Sequence, residues 1–156
     1  MNKITQYICI TSVLFSMLLF TSVQAMAVPT SEMAKEVIDY YYHGQEQGPI
    51  LTEAKLCKTV EALECVEELK LDSVLTGETV KVWMRFLVPK DATYDDIFVE
   101  YRYENMPWRI VPHKIVGSVR YRVVDQFKLS KPGKWTITIK KGISKLEEFT
   151  VNVVQQ

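Results

Sequence analysis

The sequence contains few of the residues on which catalytic and metal sites depend. Histidine occurs twice, at His43 and His113, and neither lies in an H-E-x-x-H motif or beside cysteines at a zinc-binding spacing. The G-x-S-x-G elbow of serine hydrolases and a glycine-rich phosphate loop are both absent from the sequence. We therefore expect no catalytic residue, cofactor or metal site, and an enzyme with an unfamiliar site is the least favoured alternative.

Long apolar runs are also scarce, and the main one extends from Tyr7 to Phe20 after a single Lys3. Small residues follow at Val23-Gln24-Ala25 and Ala25-Met26-Ala27, as in a secretory leader with its cleavage site. The run is shorter than the about 20 residues of a membrane-spanning helix. We expect residues 1–27 to be a cleaved signal peptide and the protein to be periplasmic or secreted, with an uncleaved anchor as the alternative.

Cysteine occurs only three times, and Cys9 would leave with the leader. Two cysteines then remain, Cys57 and Cys65. In the oxidising compartment of an exported protein, an even number of cysteines favours a disulfide. A redox-active pair is disfavoured because the C-x-x-C spacing is missing.

The backbone around the two cysteines has two competing interpretations. Apolar residues recur at helical spacing across residues 56–69, but residues eight apart in a helix lie about 12 Å apart. A disulfide requires Cα atoms within about 7 Å. We favour a strand through about Cys57, a turn near residues 62–64, and a Cys57–Cys65 bridge.

A short amphipathic helix is predicted at residues 31–42, with Thr30 or Ser31 as its N-cap. Gly44, Gly48 and Pro49 interrupt the pattern, so residues 28–48 are expected to form a helical arm and linker before a domain at 49–156. Because so short a helix is marginal alone, we expect it to dock on its own domain or, as the alternative, on another molecule. The apolar face consists of Met33, Ala34, Val37, Ile38 and Tyr41.

From Thr79 onward, apolar and polar residues alternate with a period of two, which indicates half-buried strands. Turns are expected at residues 89–91, 105–107, 131–134 and 141–142, the third because Pro132 and Gly133 suit a type II turn. Several short strands after one helix predict a mainly β protein, an antiparallel immunoglobulin-like β-sandwich.

Charge is balanced over the chain but not along it. Residues 32–104 hold sixteen acidic and eight basic side chains, whereas residues 105–156 hold three acidic and ten basic ones. Cross-strand neutralisation is the simpler interpretation. The alternative is a basic face that docks on an acidic protein or makes peripheral contact with anionic lipid; nucleic acid is a poor candidate for an exported chain.

The best candidate binding surface combines aromatic rings with basic side chains, the chemistry enriched in interaction hot spots. In the alternative interpretation, Trp108 closes one end of the sandwich and the arginines pair with Glu100 and Glu104. The candidate residues are Tyr101, Tyr103, Trp108, Arg109, His113, Lys114, Arg120 and Arg122.

Asp91, Asp95 and Asp96 lie close together in one predicted loop. Carboxylates at such a spacing resemble a weak calcium site, but acidic loops are more often simply solvated. We expect no metal here.

The stretches "GETVKVWMRF", "SVRYRV", "KPGKWTITIK" and "FTVNV" resemble a family of uncharacterised, immunoglobulin-like bacterial exported domains. Gly77, Val80, Trp83, Gly133 and Trp135 occupy the matching positions, and the resemblance covers roughly residues 50 to 154. It implies a sandwich scaffold and supplies no catalytic residue, because these motifs specify a fold rather than an activity.

Two functions are therefore weighed. The favoured hypothesis is a non-catalytic periplasmic module that binds another envelope protein, as an accessory subunit of an envelope-spanning assembly. The alternative is an exported domain that binds a small ligand or glycan through Trp108, Tyr101, Tyr103 and the nearby arginines.

Overall fold

The computed structural model describes residues 29–72 and 74–155, so the predicted leader lies outside the described residues. None of the helices in these ranges is long and apolar enough to cross a bilayer. The elements are α1 (Ser31–His43), β1 (Ile50–Glu61), β2 (Glu64–Glu68), β3 (Val74–Leu75), β4 (Thr79–Tyr103), β5 (Met106–Lys128), β6 (Gly133–Lys141) and β7 (Ser144–Val154).

One hydrogen-bonded sheet curls into two layers. Its strand order is β2-β1-β4-β6-β7-β3, with β5 paired to β4, and every pairing is antiparallel except that of β3 with β7. The first layer contains β2, β1, the N-terminal part of β4 and the C-terminal part of β5. The second contains the remaining parts of β4 and β5 together with β6, β7 and β3. The predicted immunoglobulin-like sandwich is confirmed.

The turn expected at residues 89–91 is instead a bend inside β4, and that prediction was wrong. Pro89 is buried and Asp91 has a φ of 60°, but β5 runs opposite throughout and the ladder resumes after shifts in register. The chain reverses later, at Glu104 and Asn105, whose φ values of 45° and 66° form the tight connection to β5.

Gly117 in β5 allows the two strands to approach closely at this bend. A Cβ at this position would lie 2.8 Å from the carbonyl oxygen of Pro89 and 2.9 Å from the amide nitrogen of Asp91. Since backbone atoms cannot move aside as a flexible side chain can, the bend requires glycine here.

The core lies between the layers and contains the alternating residues that the sequence predicts. Val80, Val82, Met84 and Phe86 of β4 are completely buried. The second half of β4 contributes Ile97, Val99 and Tyr101, and β6 contributes Trp135, all equally buried.

The β1–β2 hairpin folds over the outer face of the first layer. Ala62 and Leu63 form its turn, with φ values of 47° and 60°, and Cys57 and Cys65 form a disulfide with Cα atoms 5.8 Å apart. The indole of Trp83, only 2% exposed, donates a hydrogen bond to the carbonyl oxygen of Leu63 at 2.7 Å. The strand-turn-strand prediction for the cysteines is confirmed, and the helical alternative was wrong.

Helix α1 begins at Ser31 after its N-cap Thr30, whose hydroxyl accepts a hydrogen bond from the amide of Met33 at 3.3 Å. No residue of this fully described helix is buried. The favoured expectation, that its apolar face docks on its own domain, is therefore wrong for most of the helix. The following segment does pack on the domain, because Gly44, Gly48 and Pro49 are buried.

We predict that replacing both cysteines, Cys57→Ser with Cys65→Ser, lowers the free energy of unfolding by about 2.5 kcal/mol, the entropic value of so short a loop. Urea denaturation followed by the emission of the three tryptophans measures the change, and a looser hairpin also exposes the indole of Trp83 to water. Reduced wild-type protein is the control: it lacks the disulfide bond but keeps both cysteine side chains, so it separates loss of the bond from loss of side-chain packing. Unchanged stability in both samples, or a free thiol in the denatured, unreduced mature protein, contradicts the structural role of the bridge.

Candidate functional site

Strand β5 is an edge strand along its whole length. Among the described strands it pairs only with β4, so the backbone groups on its other side have no neighbouring strand. Such an edge can accept another chain. Most of the predicted binding residues lie on this strand.

The structure brings the predicted binding residues together only in part. Tyr101 and Tyr103 belong to β4, and Tyr101 is completely buried, so it cannot contact a partner directly. Tyr103, His113 and Arg122 are half-buried. The exposed members are Trp108, Arg109, Lys114 and Arg120.

Trp108 closes one end of the sandwich and is still 44% exposed. Its ring centroid lies 5.5 Å from that of the core residue Trp135 and 6.1 Å from that of Tyr103, both edge-on. The ammonium of Lys131 lies 4.7 Å from the centroid of Trp108, a cation–π contact. Trp108 therefore serves the packing of the domain and contributes to its surface.

The arginines have partners other than the expected ones. Arg120 and Arg122 both contact Glu64 of β2, at 3.1 and 2.5 Å, which holds the β1–β2 hairpin against β5. The guanidinium of Arg109 lies 5.9 Å from the ring of Phe127. The alternative in which the arginines of β5 pair with Glu100 and Glu104 is therefore wrong.

Glu100 and Glu104 are bound by other groups. Glu100 is 6% exposed and forms ion pairs with Arg102 and Lys140. The side chain of Glu104 accepts a hydrogen bond from the backbone amide of Lys134 at 2.8 Å. Among the described residues, neither carboxylate forms an ion pair with a residue of β5.

A buried hydrogen bond between β4 and β5 joins the two layers. The hydroxyl of Tyr101, in the second layer, donates to Oδ2 of Asp125, in the first, at 2.6 Å. Asp125 is only 8% exposed. Burial, followed by this hydrogen bond, raises the pKa of Tyr101 well above its usual range, so the phenol remains a donor at physiological pH.

His113 lies on the same side of β5 as this pair. Its Nε2 is buried without a hydrogen-bond partner among the residues described. Burial lowers the pKa of His113 below 6.5, and the charge of Asp125 opposes this shift only in part. Because imidazolium is disfavoured at this position, His113 does not present a positive charge to a partner at neutral pH.

The exposed side chains of β5 are apolar or basic and lie on both faces of the strand, since Arg109 pairs with the inward-facing Tyr101 and Ile110 with Glu100. Residues 106–124 contain four basic side chains and no Asp or Glu. Within the described part of the chain, Arg109 and Lys114 form no ion pair, so their charge is not neutralised locally. The exposed apolar side chains are Met106, Trp108, Ile110, Val116 and Val119.

A shallow groove of about 220 Å³ adjoins β5 on the outside of the second layer. Phe98 and Ile110 form its apolar part, and Glu100, Lys140 and Gly142 complete it. Ile110 is 58% exposed. Its side chain is therefore available to whatever occupies the groove.

Pro107 and Pro112 limit how another chain can bind to β5. Proline lacks an amide hydrogen, and on edge strands it hinders unspecific strand addition. Recognition through the side chains of β5 is therefore better supported than a long backbone ladder.

No described part of the chain gathers three metal-ligating side chains. Of the three aspartates weighed as a calcium site, Asp96 forms an ion pair with Lys141 at 3.1 Å. The calcium alternative has no support here.

The contribution of Ile110, Met106 and Val119 to the surface was missed from the sequence. Apolar residues in an alternating strand are ordinarily assigned to the core. The available signal was the combination of two prolines with a stretch lacking acidic residues, which is typical of an edge strand.

No family model matches the chain, and no curated protein matches it either. Among solved structures, an immunoglobulin-like protein from Pseudomonas aeruginosa is similar, with a TM-score of 0.52 and 12% identity over 68% of this chain and 96% of that one. The CARDB domain of a Pyrococcus furiosus protein has a TM-score of 0.40 and 13% identity, covering 69% and 96%. A β-glucosidase from Listeria innocua matches with a TM-score of 0.42 and 13% identity, over 65% of this chain but 16% of the enzyme.

These likenesses concern the fold alone. At 12% identity the Pseudomonas protein shows that the chain adopts an immunoglobulin-like fold, and the other two are too distant for any argument. The predicted immunoglobulin-like fold is confirmed, and the function of the domain must be argued from the surface of β5.

We predict that Tyr101→Phe lowers the free energy of unfolding by about 1–3 kcal/mol, because buried Asp125 loses its donor. Tyr103→Phe is the matched control, since its hydroxyl bonds the exposed carbonyl oxygen of Pro132 at 2.9 Å and water can replace it. Urea denaturation measures both. If both variants lose the same free energy of unfolding, the buried Tyr101–Asp125 hydrogen bond stabilises the domain no more than an exposed one.

We also predict that His113 makes the domain less stable in mild acid. Its folded-state pKa lies below the 6.5 of the unfolded chain, so its contribution is complete above pH 6.5 and is lost as pH falls through the folded value. Urea denaturation between pH 7.5 and 5 should show a steeper loss for wild type than for His113→Gln. Parallel losses in the two proteins would exclude this contribution.

Proposed function

We propose that this domain is a non-catalytic module that binds another protein through β5. The observation that carries the proposal is the uncovered edge of β5 with its exposed apolar side chains, Ile110 foremost. Apolar side chains grouped at one exposed place are typical of interaction surfaces. An immunoglobulin-like scaffold suits such a role, because its rigid layers hold an edge strand in a fixed shape.

The charge of β5 indicates the chemistry of the partner. Arg109 and Lys114 carry positive charge that no described carboxylate neutralises, on the same strand as the exposed apolar side chains of Met106 and Ile110. A partner with apolar anchors and flanking acidic residues complements both features. We do not expect a basic partner, since it would be repelled.

The cellular setting of the proposal is the bacterial envelope. The leader expected at residues 1–27 and the Cys57–Cys65 disulfide both suit an exported protein. We infer that the partner is another envelope protein and that this domain acts as an accessory subunit of a larger assembly.

Binding of a glycan or small ligand is the weaker alternative. Sugar rings stack on open aromatic faces, but Lys131 already contacts the exposed ring of Trp108, and Tyr101 is buried. Saturable quenching of tryptophan fluorescence by envelope glycans would favour this alternative over protein binding.

We predict that the untagged protein, gently extracted from its own envelope, migrates as part of a particle much larger than its monomer. Ile110→Gln should shift it toward the monomer, because a polar side chain removes the apolar contact without adding charge beside Glu100. Val66→Gln is the matched control: Val66 lies on β2 and is 61% exposed, against 58% for Ile110.

Native size is measured by gel filtration with immunodetection. Migration of wild type at monomer size, or equal effects of the two substitutions, would overturn the proposed role of β5. Unchanged circular dichroism of each variant establishes that the domain is still folded.

A further inference from the structure

The distal part of the β1–β2 hairpin lies on the domain without contributing to its core. Residues 58–68 are all described, and none of them is buried. Among the described residues, the buried core takes Leu56 from β1 and no side chain from β2. A segment that buries no core side chain can open while the remainder of the domain stays folded.

The hairpin nevertheless covers a large aromatic side chain. Trp83 lies on the outer face of the first layer, because its neighbours Val82 and Met84 are completely buried on the inner face. Trp83 is still only 2% exposed, and its indole N–H donates to the carbonyl oxygen of Leu63 at the tip of the hairpin. The shielding of this outward-facing ring therefore depends on the segment that lies over it.

The tip of the hairpin also holds two guanidinium groups. Oε1 of Glu64 lies 3.1 Å from Nη2 of Arg120 and 2.5 Å from Nη2 of Arg122, so one carboxylate neutralises two cations. Nε of Arg122 is buried without a hydrogen-bond partner among the described residues, which leaves the closed arrangement incompletely satisfied. Opening of the hairpin frees both guanidinium groups and lets water reach this donor.

The disulfide is the strongest of the contacts that keep the hairpin closed. The side chain of Glu64 is 43% exposed, and ion pairs of such exposure contribute little to stability. The hydrogen bond from Trp83 is a single one between neutral groups. The Cys57–Cys65 bond joins the two strands directly, and a covalent bridge lowers the entropy of the open states. Closure therefore depends mainly on this bond.

We propose that the hairpin is a redox-controlled cover: reduction of Cys57–Cys65 releases residues 58–68 and uncovers Trp83. The reduced form then presents an indole ring near the unneutralised guanidinium groups of Arg120 and Arg122, side chains of the types concentrated in interaction hot spots. The state of this surface follows the thiol–disulfide poise of the compartment. The proposal goes beyond the proposed function and does not rest on it, because it concerns the outer face of the first layer.

The exchange reaction begins at Cys65, because Cys57 is completely buried and Cys65 is half-buried. A thiolate of a dithiol reductant attacks Sγ of Cys65, the S–S bond breaks, and Cys57 leaves as a thiolate that takes up a proton. The second thiol of the reductant then attacks its own sulfur in the mixed disulfide and releases Cys65. Two electrons and two protons pass to the cysteines, and the reductant becomes a disulfide. The cysteine pair is the substrate of this exchange and not its catalyst, so it needs no C-x-x-C spacing.

Hydrogen exchange measured by NMR tests the proposal on the full chain, expressed with its own leader and purified after export. The protein is compared before and after reduction by excess dithiothreitol without denaturant, with thiol labelling to establish that both cysteines are reduced. Reduction should accelerate exchange of the Trp83 indole N–H and of the amides of residues 59–67 on the order of 50-fold, the ratio that corresponds to the entropy of so short a bridge.

Trp135 provides the internal control. Its indole N–H donates to the carbonyl oxygen of Lys131 at 2.9 Å and lies in the second layer, so its exchange should not change on reduction. Unchanged exchange of Trp83 would overturn the proposal, and so would equal acceleration of both indoles, which would mean that the whole domain loosens. A bridge that dithiothreitol reduces only after urea has unfolded the domain would overturn it as well.

Two sets of substitutions separate the bridge from the other contacts. Cys57→Ala with Cys65→Ala should reproduce the fast exchange of Trp83 without any reductant. Glu64→Gln, with the disulfide intact, should accelerate this exchange less than about threefold, because an exposed ion pair contributes little. A larger effect of Glu64→Gln than of reduction would show that the ion pairs, and not the disulfide, keep the hairpin closed, and would overturn the proposal.

Discussion

The bend shared by β4 and β5 is the constraint on which the rest of this structure depends. On both sides of the bend β4 pairs with β5, while its other edge pairs first with β1 and then with β6. The same two strands therefore belong to both layers, and the layers cannot separate without disrupting this ribbon. Gly117 permits the close approach at the bend, and the Tyr101–Asp125 hydrogen bond joins the layers at their interior.

The position of β5 follows from the same arrangement. β1 and β6 occupy the other edge of β4, and β5 has no second neighbour among the described strands. Its prolines and its bend hinder unspecific strand addition, while Ile110, Met106 and Val119 stay exposed. Strand β5 is thus a poor template for unspecific backbone pairing, whereas its exposed side chains can contact a partner of complementary shape.

Local patterns in the sequence predicted the core and the hairpin correctly. The alternation of Val80, Val82, Met84 and Phe86 indicated their burial, because side chains of a strand point to opposite faces in turn. The Cys57–Cys65 bridge followed from the two cysteines left in a chain expected to be exported, and the distance that eight helical residues would span then excluded a helix between them.

The remaining errors concern residues distant in sequence. Pro89 and Asp91 have the local character of a turn, and only the opposing β5 strand makes them a bend. Glu64 lies 56 residues from Arg120, and no local pattern specifies that pairing. The exposure of Ile110 likewise depends on the order of the strands in the sheet, because that order leaves β5 at an edge. Strand order is not specified by any local pattern.

In-cell photocrosslinking tests the central claim most directly. A photoreactive residue is placed at position 110 on β5 or, as a matched position, at 66 on β2. The account predicts a protein adduct from position 110 and none from position 66, with the mass of the adduct separating a second copy of this chain from a different protein. No adduct from position 110, or equal adducts from both, would contradict the claim that β5 is the binding surface.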